Sequence, residues 1–345
     1  MATVVYSIID QYHDLMDNKS DPRVRTWAMM SSPFPTLFIC LFYGYFSRVL
    51  GPAIMENRKP LLLKRVLIYY NAFQTLFSAW IFYEYLMSGW ATHYSYRCQP
   101  VDYSSSPIAM RMARTCWWYY ISKFTEFFDT LFFILRKKFS QVSTLHVIHH
   151  GIMPMSVWMG MKFAPGGHST FFALLNTFVH IVMYFYYMLS AMGPEYQKYI
   201  WWKKYLTTFQ MVQFICIFVH QFQLLFIECD YPKSFTVWIG LHGILFLVLF
   251  SGFYKEKYVQ IEKKKLKSTT ACSESASAKE GKNQSSQNGY AKHTSNGTSG
   301  YTKTVTESAY SNVYYSNGIN NGFMSTKSIE SSENTEKSEE SRKIK

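Results

Sequence analysis

The run "LHVIHHGIMP", residues 145–154, sets three imidazoles into what otherwise reads as an apolar helix. His146, His149 and His150 stand at i, i+3 and i+4. Three and four residues bracket the 3.6-residue turn, so one side of the helix carries all of them. In a soluble core such a helix needs amphipathic partners. In a bilayer each ionisable group costs on the order of 3 kcal/mol and marks a functional site by default. The environment therefore decides the fold.

The surrounding chain points to a membrane. Of 345 residues 48% are hydrophobic and 19% aromatic, yet mean hydropathy is only -0.08. The average is pulled down because from about Ser268 the sequence is rich in Ser, Asn, Lys and Thr and too polar to bury a core. Before it, the apolar content falls in seven blocks, at 34–50, 66–87, 116–135, 146–161, 170–189, 206–227 and 235–254. Each is close to the roughly 17 to 25 residues that cross a bilayer as a helix. Aromatic clusters such as "WWKKY" at block ends suit the membrane interface. The pattern predicts an all-α membrane protein with seven transmembrane helices: an N-terminal segment over 1–30, the helical domain over 31–267, and a disordered tail over 268–345.

Lys and Arg concentrate in "RKPLLLKR" (58–65), "LRKKFS" (135–140), "KYIWWKK" (198–204) and "KEKYVQIEKKKLK" (255–267). With seven spans these segments share one side, which the positive-inside rule makes cytosolic; the N-terminus is then lumenal and the C-terminus cytosolic. Much of the net charge of +13 thus faces anionic lipid headgroups or a phosphorylated soluble ligand. The basic clusters flank spans and form no nucleic-acid reading module, so nucleic acid is excluded as a partner. Of six cysteines, Cys98 and Cys229 fall in lumenal loops, where an oxidising compartment favours a disulfide between them.

Polar residues recur at membrane depth. In "ISKFTEFFDT" (121–130), Lys123, Glu126 and Asp129 repeat every three residues along roughly one helix face. For Lys123 and Glu126 a self-neutralising structural ladder competes with a role in the site. Asp129 lies ten residues before Phe139 and His149 ten after it. Two antiparallel helices turning near Phe139 therefore bring them to similar depth, where a carboxylate can fix an imidazole's tautomer. Asn176 and His180, four apart, and Thr207, Gln210 and Gln213, three apart, reach the same level from two further spans. His220, His242, Asn71 and Gln74 read as interhelical hydrogen-bonding groups, and His168 as a loop residue without signal.

Three chemistries compete. A di-iron desaturase or hydroxylase needs several nitrogen ligands per iron, usually from three histidine boxes, and one box is present among ten histidines. A transporter or receptor would use the cluster as a relay or ligand site, but an odd span count without an inverted repeat fits the common transporter plans poorly. In acyl transfer, imidazole attacks a thioester to give an acyl-imidazole, dividing a difficult condensation into two easier steps, with amides supporting the oxyanion.

Here the residues carry a resemblance. "KFTEFFDT" resembles the K-x-x-E-x-x-D-T box, "HVIHH" the H-x-x-H-H box, "NTFVHIVMYFYY" the N-x-x-x-H-x-x-M-Y-x-Y-Y box and "TTFQMVQF" the T-x-x-Q-x-x-Q box of the ELO family, elongases of very long chain fatty acids. All four stand intact and in order, over roughly 24–267.

The resemblance implies an endoplasmic-reticulum enzyme whose last six helices enclose an acyl tunnel. It would condense acyl-CoA with malonyl-CoA to 3-oxoacyl-CoA, carbon dioxide and CoA, without metal or other cofactor. His149 is implied as acyl acceptor, with His146, His150 and His180 in acid/base and positioning roles and Asp129 orienting a histidine. Lys123, Glu126, Asn176, Tyr184, Tyr187, Gln210 and Gln213 are expected around the substrate, and Lys203, Lys204 and Lys255 at the CoA phosphates. Gln141 is similar to the branch acting on longer or polyunsaturated chains. Expected partners are membrane lipids and the ketoreductase, dehydratase and enoyl reductase of the cycle; a homodimer is left open.

Overall fold

The computed structural model describes residues 2–259, and among them every regular element is helical. The tail expected to be disordered, 268–345, and the domain boundary at 267 lie outside the described residues. The N-terminal segment opens with α1 (Ala2–His13). Then α2 (Phe34–Tyr45) continues through one wider turn into α3 (Gly51–Met55). There follow α4 (Lys64–Tyr85), α5 (Pro107–Thr125), α6 (Phe127–Leu135) and α7 (Thr144–Phe163). The set closes with α8 (Thr170–Met192), α9 (Lys203–Phe222) and α10 (Lys233–Tyr254).

Local chemistry sets two starts that matter for the site. Ser106 accepts the Ala109 N–H ahead of α5, with Pro107 at the first helical position, and Ser143 accepts the His146 N–H ahead of α7. The third apolar block, expected over 116–135, starts earlier and is divided. Its polar first turns are held because Arg111 grips Glu84 of α4 at 2.7 and 3.1 Å. The division falls at Glu126, where Ser122 and Thr125 hydroxyls donate to the Tyr119 and Ser122 carbonyls, each at 2.7 Å. Such back-bonding competes with the helical ladder and bends it.

Among the described residues, four segments are long and apolar enough to cross a membrane: Phe34–Met55, Thr170–Met192, Lys203–Leu225 and Lys233–Val259. Exposed on the outer faces are Phe38, Leu76, Val219 and Val248, while Asn71, Gln74, Lys123, Glu126, Asn176 and His180 are buried. A soluble helical protein has the reverse distribution. The chain is a multi-pass α-helical membrane protein. Inside it α4 packs along α8, α9 along α10, and α2 and α5 against α7. Gln74 of α4 crosses to Thr125 at 3.1 Å, whereas Asn71 bonds back to its own helix at Leu67.

At one end three loops are tied together. Cys98, between α4 and α5, is disulfide-bonded to Cys229, between α9 and α10. The α7–α8 loop tucks beneath them: the His168 N–H donates to the Gln99 carbonyl at 2.8 Å. Gly167 turns the chain at φ +70°, and a Cβ there would lie 3.0 Å from Gln99 O and Val101 N. His168 is a loop residue, as expected, but a fully buried one. Its ring stacks on His220 at 3.9 Å, and burial lowers its pKa.

Candidate active site

The break at Glu126 turns that side chain inward between α7 and α8, where it is 2% exposed. One carboxylate oxygen, Oε1, accepts from Lys123 Nζ at 2.6 Å and lies 3.3 Å from His180 Nδ1. The other, Oε2, faces His150 Nδ1 at 3.6 Å and has no hydrogen bond among the described residues. Lys123 Nζ also donates to Asn176 Oδ1 at 3.1 Å and sits over the Tyr119 ring. Tyr119 donates its hydroxyl to the same Oδ1 at 2.8 Å. Two donors on its oxygen fix the Asn176 amide, so its nitrogen is the atom 3.3 Å from His180 Nε2. His180 is then the tautomer with its proton on Nδ1, directed at Glu126, and a lone pair on Nε2.

The three box histidines have different neighbours. His146 Nε2 is 2.7 Å from Thr130 Oγ1, which is 2.8 Å from the Tyr43 hydroxyl on α2. His150 sits between His146, tilted against it at 4.4 Å, and His149, edge-on at 5.0 Å. His149 packs on Phe246 of α10 at 4.8 Å and makes no hydrogen bond among the described residues. It opens onto a cavity of about 40 Å³ whose other walls include Met153, Asn176, Gln213, Phe214, Ile217 and His242.

Some expectations are corrected. Asp129 does not meet a histidine; its Oδ2 accepts from Tyr184 at 2.7 Å. Counting from the Phe139 turn gave the right level, as the Thr130–His146 contact shows, but depth does not fix the direction a side chain takes around a helix. The carboxylate beside the imidazoles is Glu126. Lys123 is its buried partner, and these two residues form the ion pair of the ladder and belong to the site at once. Gln213 lines the cavity, but Gln210 bonds Met183 Sδ at 3.4 Å instead. Tyr187 stacks edge-on against Tyr184 and lies outside the cavity lining. Lys203 and Lys255 are exposed at the ends of α9 and α10, and Lys204 is half-buried beside Lys203. His242, expected to bridge helices, bonds back to the Trp238 carbonyl at 2.8 Å and lines the cavity.

Tyr119 and Tyr43 were not anticipated, and Thr130 was marked only as the last residue of its box. Tyr119 had a signal, since it stands four residues before Lys123 on the same helix face. Tyr43 had none, because nothing in its apolar block distinguishes it from neighbouring aromatics.

A buried imidazole and carboxylate cluster beside a narrow apolar cavity defines a membrane protein with an internal reactive centre. The chain belongs to the ELO family: the family model described as GNS1/SUR4 matches residues 28–266. It is 65% identical to a protein of Aedes aegypti named a very long chain fatty acid elongase, over 74% of this chain and 72% of that one. It is 64% identical to very long chain fatty acid elongase 7 of Drosophila melanogaster, over 73% and 77% of the two chains. Against elongase 7 of Rattus norvegicus the identity is 55%, over 72% and 90%. All three matches stop short of the full chain.

Proposed function

We propose that the protein is a very long chain 3-oxoacyl-CoA synthase, the condensing enzyme of fatty acid elongation, acting through an acyl group carried on His149. The observation that carries the mechanism is the separation of roles within one box. His146 and His150 are engaged with Thr130 and with the Glu126 carboxylate, whereas His149 alone faces the cavity with its ring free to react. A neutral His149 nitrogen attacks the thioester carbonyl of acyl-CoA; a C–N bond forms, the C–S bond breaks and CoA leaves, taking a proton. Malonyl-CoA then loses carbon dioxide, and the electron pair released forms the new C–C bond at the acyl carbon as the C–N bond breaks and the departing imidazole takes up a proton from water, which restores neutral His149. Asn176 and Gln213, both at the cavity wall, supply amide donors near the carbonyl oxygen. No metal or redox cofactor enters this balance.

We place seven spans at α2–α3, α4, α5–α6, α7, α8, α9 and α10, in the endoplasmic reticulum membrane. The N-terminus is lumenal and the C-terminus cytosolic. The disulfide-tied end is then lumenal, which suits an oxidising compartment. The basic end, with Lys203, Lys204 and Lys255, meets the CoA phosphates at the cytosolic mouth. The acyl chain extends from His149 toward the lumenal end, and Phe214 and Phe246 turn aside to admit it, since about 40 Å³ holds no more than a few waters. The product's 3-oxo group must next be reduced, so ketoreductase, dehydratase and enoyl reductase are the functional partners.

Purified protein in detergent, given malonyl-CoA and saturated or polyunsaturated acyl-CoAs, tests the reading by mass spectrometry. It yields 3-oxoacyl-CoA two carbons longer than the acyl-CoA supplied. Folded protein that makes no such product from any chain overturns it and favours a transport role for the cluster.

A further inference from the structure

We propose that Glu126 is the positioning residue of the site: one carboxylate that orients two imidazoles, His180 from α8 and His150 from α7, by facing the Nδ1 atom of each. This rests on the condensation reading above and assigns within it a role that was expected of Asp129.

The geometry carries the assignment in three ways. The two carboxylate oxygens are divided between the two rings, with Oε1 3.3 Å from His180 Nδ1 and Oε2 3.6 Å from His150 Nδ1. The carboxylate is itself held from behind, because Lys123 Nζ donates to Oε1 at 2.6 Å and is anchored in turn by Asn176 Oδ1. Finally, Oε2 is buried without a hydrogen bond among the described residues. A buried charged oxygen left short of donors is costly. It is poised to take the Nδ1 proton of His150 when that ring closes the remaining gap on substrate binding.

The same ladder defines what each proton does. Asn176 is fixed by Lys123 and Tyr119, so its amide nitrogen faces His180 Nε2, and the Nδ1 proton of His180 can only point to Glu126. His180 thereby presents its Nε2 lone pair to the Asn176 amide, and Asn176 lines the cavity. An imidazole held this way keeps its tautomer and orientation and so fixes the Asn176 amide at the cavity wall, and the carboxylate offsets positive charge that develops on the ring. His149 has no such partner and is left as the group that forms the bond. Glu126 touches no reacting atom; it acts through the two rings.

The test separates positioning from plain charge neutralisation of Lys123. Glu126→Gln keeps the shape and one acceptor oxygen but removes the charge. The double variant Lys123→Met with Glu126→Gln removes both charges together and leaves no buried ion unpaired. Each is assayed for kcat and for KM of acyl-CoA, with folding followed by thermal unfolding in detergent.

The expected result is a fall in kcat of about 100-fold or more in both variants, the scale of one acid/base contribution. KM of acyl-CoA stays within about threefold, and the double variant unfolds close to wild type. Recovery of kcat in the double variant overturns the proposal, because it makes Glu126 only the counter-ion of Lys123. So does an unchanged kcat in Glu126→Gln. If the double variant fails to fold, the kcat and KM split of Glu126→Gln alone decides. Wild-type protein assayed alongside separates the two levels. Its failure to condense removes the elongase reading and this role with it, whereas an active wild type with active variants removes only the role of Glu126.

Discussion

Replacing Tyr184 by Phe should show whether Asp129 is held by the phenol or by a histidine. Tyr184 is fully buried and its hydroxyl donates to Asp129 Oδ2 at 2.7 Å, with Asp129 only 9% exposed. Phe fills the same ring volume, so the change creates no apolar cavity and removes one hydrogen bond to a charged acceptor. Such bonds contribute about 1.5–3 kcal/mol, and the carboxylate stays behind in a dry setting, so a loss of about 2 kcal/mol or more is expected.

Asp129→Asn keeps an oxygen that can accept from the phenol and should cost about 1 kcal/mol, the scale of a neutral bond. The two changes touch one interaction, so the double variant should fall short of the sum by about 1 kcal/mol. Unfolding of purified protein in mixed micelles, titrated with denaturing detergent and followed by tryptophan fluorescence, gives all three values. A Tyr184→Phe protein as stable as wild type would refute the reasoning. It would do so more decisively if His149→Phe then proved strongly coupled to Asp129→Asn, because that is the pairing the sequence alone anticipated.

Gly167→Ala should destabilise by about 1–2 kcal/mol from the left-handed backbone alone, and by more from the 3.0 Å approach to Gln99 and Val101, read in the same titration. In non-reduced, denatured protein Cys98 and Cys229 should resist alkylation while Cys40, Cys116 and Cys216 react. Opening that 131-residue separation by reduction should cost up to about 5 kcal/mol on the chain-entropy account. Lys203→Ala combined with Lys255→Ala should raise KM for both CoA substrates several-fold with little change in kcat, and added salt should shrink the difference between variant and wild type.

Much of the architecture is legible in the chain because bilayer thickness sets the length of apolar blocks, and six of the seven expected blocks coincide with helices to within a turn or two. The third does not, since Arg111 and Glu84 satisfy one another across helices and so allow charged turns inside the bundle, a pairing that no local pattern announces. The site was legible as a set of residues more than as a set of contacts. Spacing of three and four residues grouped His146, His149 and His150, and hairpin counting placed them level with the Lys123 ladder. Which carboxylate meets which ring depends on helix rotation and on the break at Glu126, and that break comes from two hydroxyls turned back onto carbonyls. Tyr43 and Tyr119 joined the site through packing alone.

The acyl group on His149 is detected directly by mass spectrometry of protein incubated with a long-chain acyl-CoA while malonyl-CoA is withheld. One acyl mass per chain is expected, located on the peptide that contains His149, released as 3-oxoacyl-CoA when malonyl-CoA is added, and absent from His149→Ala. An adduct that persists in His149→Ala, or condensation by wild-type protein at full rate with no acyl-enzyme formed at any time, would contradict it.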